Sequence, residues 1–442
     1  MSTLGERSSS DGMVNLSRFL ALWKAPDLRR RFLFIIALLA VFRITSHVPV
    51  PGIEEESLRR FFAGNQLFGL LDIFSGGGLS NLSIAMLGVG PYITASIVMQ
   101  LLTMILPRLE ELQREEGEAG RRKIQMYTRI LTVPLAAIQA FGFLTLLQRG
   151  TAGLGGTPIT FTPLELIVTI ITVTAGSVFL MWLGELISEK GLGNGASLII
   201  FLGIIAQAPQ SLRQIVALWD PTKIPTYLGF LAIALVVTAG VVFVTEAQRN
   251  IPVSYAKRVR GGRLLGGAST HLPLRVNQAG VIPIIFALSL LLFPGVIAQF
   301  FTAAKNPTIA GFAQQVVALF NNTVFYGLFY FLLVVVFTYF YTSVTFDPKR
   351  IAEHLQKQGG FIPGIRPGPM TSRYLKHVVN RITLAGALFL GVVAILPLLL
   401  QGFTHTQALT IGGTGLLIVV SVILETLKQI DAQLTMREYE TT

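Results

Sequence analysis

The sequence predicts an all-α polytopic membrane protein, with ten transmembrane helices in two inverted five-helix halves and a re-entrant helix after the first span. Three observations predict it. Of 442 residues, 52% are hydrophobic and 13% charged, whereas a soluble chain carries about a quarter charged residues. The apolar residues gather into blocks of roughly 18 to 28, each long enough as helix to cross a hydrocarbon layer of about 30 Å. A short Gly-Val-x-Pro motif also occurs twice, five spans apart. A cytosolic multidomain enzyme is excluded by the composition. There is no Cys, which excludes disulfides, thiolate catalysis and Cys-bound metals.

Taken in order, the tail 1–31 is polar and basic, and the first block lacks a small-residue cleavage site after it. It reads as a retained span. Spans are expected at 32–48, 82–106, 126–147, 163–187, 195–212, 226–245, 276–301, 322–344, 382–401 and 409–430. Of the 35 Lys and Arg, 27 fall in the N-terminal tail, the even-numbered loops and the stretch from Lys428 onward, and 6 in the odd-numbered loops. The positive-inside bias therefore places both termini in the cytoplasm, and the net charge of +12 is mostly a topology signal.

Gly88-Val89-Gly90-Pro91-Tyr92-Ile93-Thr94-Ala95 and Gly280-Val281-Ile282-Pro283-Ile284-Ile285-Phe286-Ala287 agree at five of eight positions. An odd number of spans separates them, so the copies run in opposite directions. The bland alternative is that Gly and Pro are frequent in membrane helices. The favoured division is a tail 1–31, a first half 32–220, a second half 221–435 and a tail 436–442.

Before the second span, Leu67-Phe68-Gly69-Leu70-Leu71-Asp72-Ile73-Phe74 is too short to cross and is followed by Ser75-Gly76-Gly77-Gly78. It suits a re-entrant element on a glycine hinge, a mobile stopper in a pore, or an ordinary amphipathic surface helix. Arg43 lies within the first span and is expected to snorkel outward. Glu165, Glu185, Glu246 and Glu425 sit toward span ends, and the five His are scattered. No buried relay of the kind a pump or coupled carrier uses is visible. Val89 and Ile93 share a helix face, as do Ala196 and Ile200, while Ile285 and Ile418 lie mid-span. They read as packing or lipid-facing residues unless a pore makes a ring of them, in which case they exclude water.

The sixth and eighth loops, 246–275 and 346–381, are more than connectors. Gly261-Gly262 reads as a hairpin tip amid Lys257, Arg258, Arg260 and Arg263. Pro363, Gly364, Pro367 and Gly368 frame Arg366 as a presented charge. Both loops suit a cytoplasmic partner; the alternative is contact with anionic headgroups. Gly191-Leu192-Gly193-Asn194-Gly195-Ala196 satisfies a nucleotide pattern but joins two membrane helices, and no Gly-Lys pair exists for a phosphate loop. Any nucleotide hydrolysis belongs to a partner, and no cofactor is expected.

These residues resemble the SecY family of bacterial protein-conducting channels. The resemblance runs from Phe42-Arg43-Ile44 and Pro49-Val50-Pro51-Gly52-Ile53 through Phe74-Ser75-Gly76-Gly77, Pro91-Tyr92-Ile93, Glu116 to Lys123, Gly193-Asn194-Gly195, Tyr255-Ala256-Lys257-Arg258 and His271-Leu272-Pro273-Leu274 to Pro363-Gly364-Ile365-Arg366-Pro367-Gly368. It implies a passive channel without its own ATPase, in the bacterial inner (plasma) membrane, moving unfolded preproteins across and releasing apolar segments into membrane lipids. Implied partners are SecE, SecG, the SecA ATPase and the ribosome, with rRNA contact through the docked ribosome. On the same resemblance, residues 67–78 match the plug, and Val89, Ile93, Ala196, Ile200, Ile285 and Ile418 the pore ring. Thr94, Gln100 and Asn277 match the lateral gate, and Lys257, Arg258, Arg260, Arg263 and Arg366 the partner-binding loops. An inverted-repeat secondary solute transporter also fits the span count but lacks midplane ligands, and an intramembrane hydrolase lacks a nucleophile and base in one cavity.

Overall fold

The computed structural model describes residues 26–50, 75–79, 81–114, 117–152, 161–190, 193–217, 221, 224–255, 258–260, 263–265, 269–302, 306–404 and 412–441. The first half holds α1 (Pro26–Thr45), α2 (Gly90–Ile105), α3 (Pro107–Arg114), α4 (Gly117–Ala152), α5 (Pro163–Lys190) and α6 (Gly195–Ala217). After α7 (Ile224–Glu246) come β1 (Gln248–Tyr255), β2 (Arg258–Arg260), β3 (Arg263–Leu265) and β4 (Ser269–Arg275). The chain continues through α8 (Ile282–Phe301), α9 (Pro307–Asn321), α10 (Thr323–Thr345), α11 (Pro348–Lys357), β5 (Gly360–Phe361), α12 (Pro369–Thr404) and α13 (Gly412–Thr441).

A helix lies at each of the ten expected spans. Among the described residues, five segments are long and apolar enough to cross a membrane by length and composition, at spans three, four, six, eight and nine. Other boundaries differ from expectation. The helix of span two begins at Gly90 instead of 82, and that of span seven at Ile282 instead of 276. The reason is local: Gly88 and Gly280 adopt φ of 57° and 63°, a left-handed conformation that interrupts the right-handed helix and that glycine tolerates. Each is followed by a Val cap and a Pro in the first turn, where the missing N–H has no helical partner to lose. The short helices α3, α9 and α11 lie where connectors were expected, and α13 continues past 430 to Thr441.

In the first half, α4 packs on α2 and α5; in the second, α10 packs on α12 and α8, and α7 on α13. Across the halves, α8 meets α2 and α4, and α13 meets α6. Arg129, inside span three, is paired with Glu185 of α5 at 2.8 Å, and Lys428 of α13 with Glu246 of α7 at 2.8 Å. The largest buried apolar cluster draws on both halves.

The two basic loops are one folded unit. Strand β1 pairs antiparallel with β4 from Gln248↔Arg275 to Ser254↔Ser269, and its end pairs with β5 through Ser254↔Phe361 and Tyr255↔Gly360. Ile251, Val253 and Leu274 of the ribbon close over Leu355 of α11, Ile362 and Leu375 of α12. Asp347 caps α11, its carboxylate accepting from Lys349 N at 3.0 Å and Arg350 N at 3.4 Å.

Candidate functional site

The two copies of the internal repeat have nearly the same backbone. Val89 has φ, ψ of −87°, 5° and Val281 of −91°, −16°. Ile93 N donates to Val89 O at 3.0 Å, and Ile285 N to Val281 O at 3.3 Å. Ile93 and Ile285 are therefore equivalent residues one turn into oppositely placed helices. Both are buried, and with Val89, Ile200 and Ile418 they are among the members of the largest buried apolar cluster of the described residues. Ala196 is half-buried and not among the cluster's members. Val281 is buried in the same cluster but was not singled out, although its match to Val89 in the repeat was the signal for it.

Of the plug segment, 67–74, including Leu67, Phe68, Leu70, Leu71, Asp72, Ile73 and Phe74, lie outside the described residues. The turn after them is described and buried. Gly76 and Gly77 have φ of 69° and 84°. A Cβ on Gly76 would come within 3.0 Å of the Phe42 ring and 3.1 Å of Gly203 Cα, and one on Gly78 within 2.9 Å of Ser83 Oγ. Gly76 and Gly77 serve a left-handed turn, and with Gly78 they are tightly packed. Arg43 corrects an expectation. It does not snorkel outward; its Nη1 donates to Gly76 O at 2.7 Å. A further tie comes from the segment after α1, where Val50 N donates to Leu82 O at 2.8 Å and Ile84 N to Val48 O at 3.0 Å.

The three polar residues expected at the gate lie on α2 and just before α8, helices that touch. Thr94 Oγ1 donates to Gly90 O at 3.0 Å, a bond within its own helix. Gln100 Nε2 donates to Ser96 Oγ at 3.3 Å and Asn277 Nδ2 to Gly280 O at 3.2 Å, while the side-chain oxygens of both amides are buried without a partner. Such an oxygen costs about 1–3 kcal/mol relative to a bonded one, so each leaves an acceptor free for a group introduced between the helices.

In the basic ribbon, β2 and β3 pair antiparallel with Arg260 opposite Arg263 and Arg258 opposite Leu265. Gly261 and Gly262, expected at the tip, and Lys257 lie outside the described residues. Arg366 is exposed. Its carbonyl accepts from Thr371 Oγ1 at 3.0 Å, and Gly364 and Gly368 on either side have φ of 80° and 94°. β5 and Ile362 join the sheet and core of β1 and β4, while β2 and β3 form a separate two-stranded sheet.

The comparisons with known proteins settle the family. Residues 83–427 match the SecY family. The chain belongs to the SecY family. A protein translocase subunit SecY from Streptomyces galbus is 45% identical over 442 residues, covering 96% of this chain and 99% of the relative. That of Thermus thermophilus is 45% identical over 432 residues, covering 95% and 96%. The fold is likewise similar to that of a solved protein-conducting channel, with a TM-score of 0.58 at 19% identity over 90% of each chain. It is also similar to Sec61 in the canine ribosome-channel complex from the endoplasmic reticulum, at 0.57 and 19% over 90% of each chain. The SecY-family fold thus accounts for the placement of the repeats, the central cluster and the paired loops in this one chain.

Proposed function

We propose that this chain is the pore-forming subunit of a protein translocase, a passive channel that moves unfolded preproteins across the membrane and releases apolar segments sideways into lipid. The observation that supports the reading is the large apolar cluster drawn from both halves, whose members include the equivalent isoleucines of the two repeats, Ile93 and Ile285, together with Ile200 and Ile418. An apolar constriction excludes water and resists ions, yet offers no fixed partner to a passing polypeptide. In this reading Val89, Ile93, Ala196, Ile200, Ile285 and Ile418 form the pore ring, and residues 67–78 the plug. Helices α2 and α8 form the lateral gate, with Thr94, Gln100 and Asn277 as its polar members. The centre is packed by Val and Ile instead of ligating groups, which favours a channel over a solute carrier.

The finer assignments follow from family membership and charge. Both termini face the cytoplasm of a bacterial plasma membrane, as the distribution of Lys and Arg supports. SecE and SecG complete the complex. SecA or a docked ribosome supplies the drive, meeting the ribbon at Lys257, Arg258, Arg260 and Arg263 and the loop at Arg366, with rRNA phosphates among the groups these cations suit. The test is at the ring. Ile93→Asp and Ile285→Asp place charge in the constriction, and resting ion conductance in planar bilayers is expected to rise in both. Unchanged conductance in both variants removes these residues from the ring.

A further inference from the structure

Helix α9 belongs to neither the ring, the gate nor the ribbon. It lies at the end of α8 remote from the β-ribbon, between α8 and α10, and packs on both. Asn306 starts it, its side-chain oxygen accepting from Thr308 N at 3.1 Å, and Pro307 opens the first turn. With 15 residues it is about 22 Å long, short of the ~30 Å needed to cross. None of its residues is charged.

The helix has three faces. Ala313 is buried, and Phe320 packs edge-on against Phe325 and Phe329 of α10 with ring centroids at 5.7 and 5.9 Å. This contact fixes the rotation of α9 about its axis. Gln314 and Gln315 are exposed on a polar face. Between the two runs an apolar stripe at helical spacing, in which Ile309 is 47%, Phe312 70% and Leu319 46% exposed. The flanking helices carry exposed apolar residues of their own, Ile297 and Phe301 at the end of α8 and Val324 and Leu328 at the start of α10. Of the two, α10 is long and apolar enough to cross a membrane.

The geometry points to α9 as a monotopic helix whose Ile309–Phe312–Leu319 stripe docks into the lipid leaflet at the boundary of headgroups and acyl chains. Amphipathic helices with an apolar face and a polar face lie in that plane. Two features choose lipid over a protein partner: α9 leads directly into α10, a helix long and apolar enough to cross a membrane whose first turns carry exposed Val324 and Leu328, and the stripe lies beside an exposed polar face on a helix without charge. Because the polar face carries Gln and not Lys or Arg, the docking rests on apolar burial and needs no anionic lipid. The proposal stands independently of the channel reading.

The absence of Cys makes the test direct. Single-cysteine full-length variants Ile309→Cys, Phe312→Cys, Leu319→Cys, Gln314→Cys and Gln315→Cys are spin-labelled in the purified complex, assembled with cysteine-free partners, and reconstituted into vesicles of neutral phosphatidylcholine. Leu328→Cys serves as the lipid-facing reference. Collision rates with oxygen and with a water-soluble nickel chelate are then measured. Oxygen-to-nickel ratios at 309, 312 and 319 are expected to match that at 328 and to exceed those at 314 and 315 several-fold, unchanged when anionic lipid is added. Nickel access at the stripe equal to that at the glutamines would overturn the proposal, placing the helix in water. Protection of the stripe from both reagents would also overturn it, by showing a protein occupant.

Discussion

Arg43 ties the first helix to the glycine turn that precedes the second. Its guanidinium holds the carbonyl of Gly76 across the distance from α1 to the turn before α2, while Phe42 beside it fills the space that a side chain on Gly76 would need. A hydrogen bond from a charged donor is worth about 1.5–3 kcal/mol, and an orphaned buried carbonyl adds to the loss. Arg43→Ala is therefore expected to loosen the turn, read as faster amide exchange at Gly78 and Ser83 and as raised resting conductance in bilayers. Arg43→Lys, which keeps a charge and one donor within partial reach, should fall between. Exchange and conductance both equal to those of the unaltered chain would return Arg43 to the snorkelling role that its position in the span suggests. The sequence made the charge visible but not its partner, because residues 33 apart meet only once α1 and the turn are packed.

At the scale of elements, two joints matter. The first is between α2 and α8, which touch, with the unpaired oxygens of Gln100 on α2 and of Asn277 just before α8. In this cysteine-free chain, a cysteine pair placed across that contact should form a disulfide on oxidation. It is expected to block insertion of apolar helices and secretion, with recovery on reduction; insertion through the oxidised channel would move the exit elsewhere. The second joint is β5 on β1. A Cβ at Gly360 would sit 3.0 Å from the Tyr255 ring, so Gly360→Val should prise β5 off while leaving the β1–β4 ladder paired. Hydrogen exchange at Ser254 and Tyr255 is the measurement, with Ile251 and Val253 as unaffected controls. The spans were legible because apolar length alone marks them. The joints were not, since a two-residue strand such as Gly360–Phe361 has no periodicity to read and exists only through its partner.

For the whole molecule, the question is whether the docking surface can fail without the channel failing. Arg366 is exposed and packs against no part of the central cluster. Arg366→Glu is expected to lower preprotein-stimulated ATPase and transport in proteoliposomes, by the ~1.5–3 kcal/mol of a charge-assisted contact, with resting conductance and complex assembly unchanged. Loss of assembly would make Arg366 structural, and full transport would make it a topology anchor. The sequence by itself determined the membrane class, the positions of the spans, the repeat and the family, because hydrocarbon thickness and backbone hydrogen bonding leave a long apolar block little choice but helix. Only the tertiary structure decided that α2 and α8 start late at left-handed glycines, that Arg43 turns inward, that two loops share one sheet, and that α9 forms a helix on the side of α8. The late starts rest on the backbone conformation of single glycines, and the inward turn of Arg43 and the shared sheet on contacts between residues distant in sequence; apolar periodicity encodes neither.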